Sequence, residues 1–144
     1  MTELDEIFLV DSNILIYAYE KEESHKKKIS EEILNKCFAR EINLAVTNQN
    51  LGEFSYVSTR KGKLNPEDLK KIINDIIISF NFIKINYTEN TVTKTLNIIK
   101  DYPEIHFWDA LIIATMKENN ISSIYTENIK DFKIEGITAV NPFD

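Results

Sequence analysis

Asp11, Glu53, Asp109 and the pair Glu127-Asn128 are the positions of this chain whose residue types could do chemistry. They stand in Val10-Asp11-Ser12-Asn13, Leu51-Gly52-Glu53-Phe54, Phe107-Trp108-Asp109-Ala110 and Tyr125-Thr126-Glu127-Asn128. Each lies beside strongly apolar sequence, where a carboxylate is costly unless something compensates it. Brought together, these side chains would offer oxygen ligands only, a set that suits a hard divalent cation. The chemistry such a pocket serves is metal-assisted hydrolysis.

Taken singly, each position also has a local explanation. Asp11 can cap a helix starting near Asn13, and Glu53 can close a capping box with Asn50. Asp109 can be a first-turn acid favoured by the helix dipole, and Glu127 and Asn128 can be turn residues. His106, beside Phe107-Trp108, reads as a packing or capping residue rather than a general base, and His25 lies in a charged, exposed stretch. No Ser or Cys stands in a pattern that would support a nucleophilic triad.

The elements that must position these groups follow from apolar runs and their periods. Residues 7–10 form a short, fully apolar strand that ends at Asp11. A brief helix is expected at 14–19. The charged stretch 21–28 leads into another, to about residue 40, with Ile29, Ile33, Leu34, Cys37 and Phe38 at helical spacing. A strand at 43–46 is followed by a helix at 49–61 that turns Leu51, Phe54, Tyr56 and Val57 mostly inward. Asn65 caps and Pro66 opens a helix running to about 80, then comes a strand at 82–85. Helices are expected at 91–100, stopped before Pro103, and at 107–119, where Ala, Leu and Ile dominate so fully that most sides should be buried. Asn119-Asn120 suits the turn after it, leading to a strand at 123–125 and a possible fifth at 138–140.

Strands separated by helices imply an α/β fold of three layers, with a four- to five-stranded parallel sheet covered on both faces. In such a sheet the C-terminal strand ends and the adjoining helix starts share one edge, where open α/β sheets bind ligands. Asp11 and Glu127-Asn128 follow strands, while Glu53 and Asp109 lie near helix starts. Capping alone does not predict four such sites flanked by core residues.

Composition bounds the rest. The 144 residues, 43% apolar and 28% charged, make one ordinary globular domain spanning 1–144. A single Cys37 excludes an internal disulfide and a Cys-based zinc site, which fits a reducing, cytoplasmic setting. No signal pattern and no membrane-spanning run is present. A net charge of −6 opposes broad electrostatic binding to nucleic acid, but clustered acids inflate that count and a bound cation would offset them locally. Arg60-Lys61-Gly62-Lys63 is a local basic strip, whereas Lys26–Lys28 reads as a solvated helix face.

At these residues the chain resembles the PIN-domain ribonucleases, close to the VapC-like toxins of bacterial and archaeal toxin–antitoxin pairs. The matching pieces are Leu9-Val10-Asp11-Ser12-Asn13-Ile14-Leu15-Ile16-Tyr17-Ala18, then 47–61 with Glu53 and the trailing Thr59-Arg60-Lys61. They continue with Phe107-Trp108-Asp109-Ala110-Leu111-Ile112-Ile113-Ala114, Tyr125-Thr126-Glu127-Asn128 and the closing Val140-Asn141-Pro142-Phe143. Two departures stand out. Ser12 replaces the usual Thr and keeps its hydroxyl. Asn128 stands where an Asp commonly follows Thr-Glu, so an amide oxygen remains without its charge, with Glu127 or Asp131 as substitutes.

The resemblance implies a Mg2+- or Mn2+-dependent endoribonuclease acting on single-stranded or structured RNA. It places Asp11, Glu53, Asp109 and Asn128 on the metal, with Ser12, Asn13 and Thr126 supporting those ligands. Arg60 and Lys61 could contact phosphate. It further implies a homodimer and a cognate antitoxin that inserts a cationic side chain into the acidic pocket. Two other readings remain at this stage. One is a PIN-like domain that binds RNA or protein with a weakened site, kept open by Asn128. The other is an aspartyl phosphotransferase of the haloacid-dehalogenase type with Asp11 as nucleophile, although Asn13 stands where its acid–base Asp would be.

Overall fold

Short apolar strands spaced far apart in sequence cannot close hairpins, so the chain pairs them in parallel through helical crossovers. The computed structural model describes residues 6–60 and 63–144. Its strands are β1 (Ile7–Val10), β2 (Asn43–Thr47), β3 (Phe82–Ile85), β4 (Ser123–Tyr125) and β5 (Thr138–Val140). The helices are α1 (Ser12–Ala18), α2 (His25–Phe38), α3 (Asn48–Arg60), α4 (Pro66–Ile78), α5 (Glu89–Asp101) and α6 (Phe107–Glu118), with a 3-10 turn at Ile129–Phe132. The sheet order is β3-β2-β1-β4-β5 and every pairing is parallel. This is the expected α/β architecture, with the fifth strand present.

Strand alternation sends neighbouring side chains to opposite layers. Leu9, Ala45, Ile83 and Ile124 pack with α5 and α6, through Ile98, Ile112, Ile113 and Met116. Val10, Leu44, Val46 and Phe82 face the other way, onto Ile14 and Leu15 of α1, Leu34 of α2, Phe54 of α3 and Ile76 of α4. Both faces of the sheet are therefore buried, which is why the central strand β1 is apolar on every residue. In α6 the run Ala110–Met116 is buried throughout, as its composition required.

Local chemistry sets the helix ends. Asn65 caps α4, its side chain accepting from Asp68 N at 2.9 Å, with Pro66 following. The turn after α6 places Asn120 at φ 57°, the left-handed region that Asn tolerates better than most residues. Two expectations need correcting. Tyr56 is 59% exposed, because α3 turns only Phe54 and Ser58 fully into the core beyond its first turn. The capping box at α3 joins Thr47 and Asn50, with Asn50 N donating to Thr47 Oγ1 at 2.9 Å; Glu53 takes no part and is left to face the sheet edge.

After β1 the chain moves outward to β2 and β3, then returns past β1 to form β4 and β5 on the other side. The sheet's topological switch point thus lies between β1 and β4, and a crevice opens there at the C-terminal strand ends.

Candidate active site

Asp11 stands at that crevice. Its backbone N–H donates to Tyr125 O at 3.0 Å, extending the β1–β4 ladder by one residue before the chain turns into α1. Its side chain caps α1, with Oδ1 accepting from Ser12 N at 2.8 Å. Across the crevice, Thr126 Oγ1 donates to Asp11 Oδ2 at 2.8 Å. The capping role weighed for Asp11 is present, in a carboxylate that also takes a bond from across the crevice. Asn50 Nδ2 and Asn13 Nδ2 add longer contacts of 3.5 and 3.4 Å. Only 8% of the residue is exposed. Burial pushes the Asp11 carboxyl up, the bonds from Thr126 and Ser12 pull it part of the way back, and Glu53 and Asp131 push it up again.

The other acids arrive from separate elements. Ser12, one residue beyond Asp11, donates its hydroxyl to Glu53 Oε1 and so ties α1 to α3. Asp109 sits in the first turn of α6, where the N-terminal end of the helix favours a negative charge. Even so, its carboxyl is pushed up to about 6, by burial first and then by Asp131 and Asp11, with a smaller push from Glu53. His106 opposes that rise. The His106 side chain is exposed and makes no capping bond.

The end of β4 resolves differently from its sequence pattern. The Glu127 carboxylate accepts from Tyr17 OH at 2.7 Å and from the Lys26 ammonium. Burial alone would raise this carboxyl, but those two bonds outweigh it and hold Glu127 below its usual range. Lys26 also lies 5.2 Å from the Tyr17 ring centroid, so this part of the lysine run is engaged rather than merely solvated. Asn128 is exposed, and its N–H donates to Thr126 Oγ1 at 3.0 Å. Its carbonyl accepts from Asp131 N at 3.0 Å, starting the 3-10 turn that brings Asp131 within electrostatic reach of both Asp11 and Asp109.

The basic strip is less engaged. Arg60 ends α3, seven residues beyond Glu53 and thus roughly 10 Å further along a similar helix face. Its guanidinium donates to Tyr56 OH at 2.6 Å. Lys61 lies outside the described residues. His25 is exposed, with its imidazole 3.4 Å from Phe143 O.

Asn50, which the sequence reading assigned only to a cap, also reaches the crevice. Its Oδ1 accepts from Thr47 Oγ1 at 2.8 Å while its amide reaches Asp11. The buried amide three residues after Thr47 was the available signal. The donor set is consistent with a hard cation. All ligand candidates are oxygens, Asp11 and Asp109 are each pushed up partly by neighbouring carboxylates, and Asn13 Oδ1 is buried without a partner among the described residues. Among those residues no three acids close into a ready-made cage.

Fold and rim together define a class: a doubly wound parallel α/β domain with acidic side chains gathered at its switch point. The family model for the PIN domain matches residues 8–134, and the chain belongs to the PIN domain family. Among solved structures, it is similar to a chain of a toxin–antitoxin complex from Klebsiella pneumoniae. That match has 20% identity and a TM-score of 0.67, over 94% of this chain and 97% of that one. VapC20 of Mycobacterium tuberculosis, a sarcin–ricin-loop-cleaving toxin, aligns at 14% identity and a TM-score of 0.66, over 92% and 98%. VapBC2 from Rickettsia felis, bound to a DNA fragment from their promoter, aligns at 19% and 0.63, over 94% and 98%. At these identities the likeness is one of fold. No curated protein sequence matches the chain.

Proposed function

We propose that this chain is a Mg2+- or Mn2+-dependent endoribonuclease, acting on single-stranded or structured RNA as the toxin of a toxin–antitoxin pair. The observation that carries the reading is the convergence of acids at one crevice: Asp11 and Asp109 are each pushed up, first by burial and then by neighbouring carboxylates, Glu53 and Asp131 in one case and Asp131, Asp11 and Glu53 in the other. Acidic side chains gathered from separate segments at one crevice make sense around a cation.

In this reading Asp11, Asp109 and Glu53 hold the metal directly or through water. Thr126 and Asn50 fix the Asp11 carboxylate, and Ser12 fixes Glu53. Asp131 supplies the negative charge that Asn128 lacks, which weakens the case for a domain that binds without cutting. The bound ion would activate water and stabilise charge on the phosphate. Asn13 donates to Asp11 and, as an amide, cannot serve as general acid or base, which disfavours the aspartyl phosphotransferase reading.

An antitoxin placing a cationic side chain on the acids, and a homodimer, belong to the same proposal, as does cytoplasmic location. Among the described residues no helix is long and apolar enough to cross a membrane. The test is cleavage of a broad RNA panel by the purified chain with Mg2+ or Mn2+, beside Asp11→Asn and Asp109→Asn. Metal-dependent cleavage lost in both variants supports the reading. Equal inactivity of all three proteins, with no Mn2+ binding, defeats it.

A further inference from the structure

Beside the acids, at the C-terminal ends of β2 and β3, lies an open groove of about 540 Å3, within the usual size range of ligand clefts. Asn48, Gln49, Asn86, Tyr87, Glu89 and Trp108 line it. Trp108 is 52% exposed and Tyr87 39% exposed, so both offer aromatic surface to the groove. Trp108 immediately precedes Asp109, and Gln49 Nε2 donates to its backbone carbonyl at 3.2 Å, so α3 steadies the start of α6. We infer that this groove is a nucleobase subsite, in which Trp108 and Tyr87 stack on unpaired bases of the strand whose phosphate meets the acids.

The lining decides between ligand chemistries. Glu89 is the groove's one formal charge among these residues, so an anionic group is disfavoured while a neutral base is not. Three side-chain amides offer both donors and acceptors, as a base edge requires. Aromatic faces accept every base, which makes them a general platform for single strands and a poor one for a duplex, whose bases are already stacked. A peptide could use the same amides, but the position next to Asp109 favours the substrate itself. The inference rests on the ribonuclease reading for its choice of ligand.

Trp108 is the only tryptophan in the sequence, so its emission reports on this groove alone. The full chain in EDTA, and the Asp11→Asn variant in Mg2+, are titrated with unstructured RNA oligonucleotides, duplex RNA and inorganic polyphosphate. Single-stranded RNA should quench Trp108 in at least one of the two, while duplex and polyphosphate do not. Tyr87→Ala keeps the reporter and should weaken the quenching titration by roughly five- to a hundredfold. In wild-type background, Trp108→Ala should raise KM for RNA more than it lowers kcat, with partial rescue by Trp108→Phe. Absence of quenching under both conditions, or equal quenching by polyphosphate, overturns the subsite and returns the surface to a protein partner. Metal-dependent cleavage by wild type without quenching would retain the nuclease and remove only the subsite. Quenching without cleavage would keep the subsite and remove the nuclease.

Discussion

Neutralising Asp109 should make the metal-free protein more stable while abolishing its activity. The Asp109 carboxyl climbs from 3.8 to about 6 on folding. A folded carboxyl that binds its proton more tightly than the unfolded one loses stability as pH rises through that interval, and the full penalty is present above it. At about 1.4 kcal/mol per pH unit the ceiling is roughly 3 kcal/mol. Partial exposure screens part of this, and the first-turn dipole that favours the carboxylate returns about 0.3–1 kcal/mol to wild type. A net gain of about 1–2 kcal/mol for Asp109→Asn at neutral pH remains, or about 4–8 °C in Tm for a chain of this size. The assay is thermal unfolding in EDTA across pH 4 to 8. The variant should match wild type near the acid end, separate from it as pH rises to about 6, and stay separated above. Mg2+ or Mn2+ should raise the wild-type Tm and leave the variant's unchanged. A variant that is less stable than wild type at neutral pH in EDTA would refute the electrostatic account of the site.

Other perturbations separate the remaining roles. Asp131→Asn should lower cleavage about tenfold or more, whereas Asn128→Ala should change it by less than about threefold; the reverse order in kcat/KM would return the fourth position to Asn128. Thr126→Val removes the 2.8 Å bond to Asp11 Oδ2. It should cost about 1–3 kcal/mol in denaturant unfolding at neutral pH and raise the Asp11 carboxyl further, and no change in either would detach Thr126 from the site. Ile113→Ala, in the fully buried run of α6, should cost about 2–5 kcal/mol, read from the urea midpoint at constant m.

The fold was largely legible because its signals are local. Apolar runs such as 7–10 and 44–46 mark strands covered on both faces, and Asn65-Pro66 marks a helix start by chemistry confined to one turn. The strand order adds what local signals lack: it puts Asp11 and Thr126 on either side of one crevice. Tyr56 was misplaced because an aromatic at helical spacing looks like core until the packing partner is known. Glu127 illustrates the same limit at the site. Its engagement with Tyr17 and Lys26 depends on how α1 and α2 pack beside β4, over a hundred positions away. Asp131 depends on a four-residue 3-10 turn, too short to leave a periodic trace. Asn50 looked like a cap, and is one, but the same amide reaches Asp11.

The central claim is that acids from four separated segments form one metal centre, and calorimetric titration with Mn2+ tests it most directly. Wild type should bind Mn2+ saturably, Asp11→Asn and Asp109→Asn should each abolish that binding, and Glu127→Gln should leave it intact. Binding that survives Asp11→Asn, or that Glu127→Gln removes as fully as Asp11→Asn does, would contradict the account.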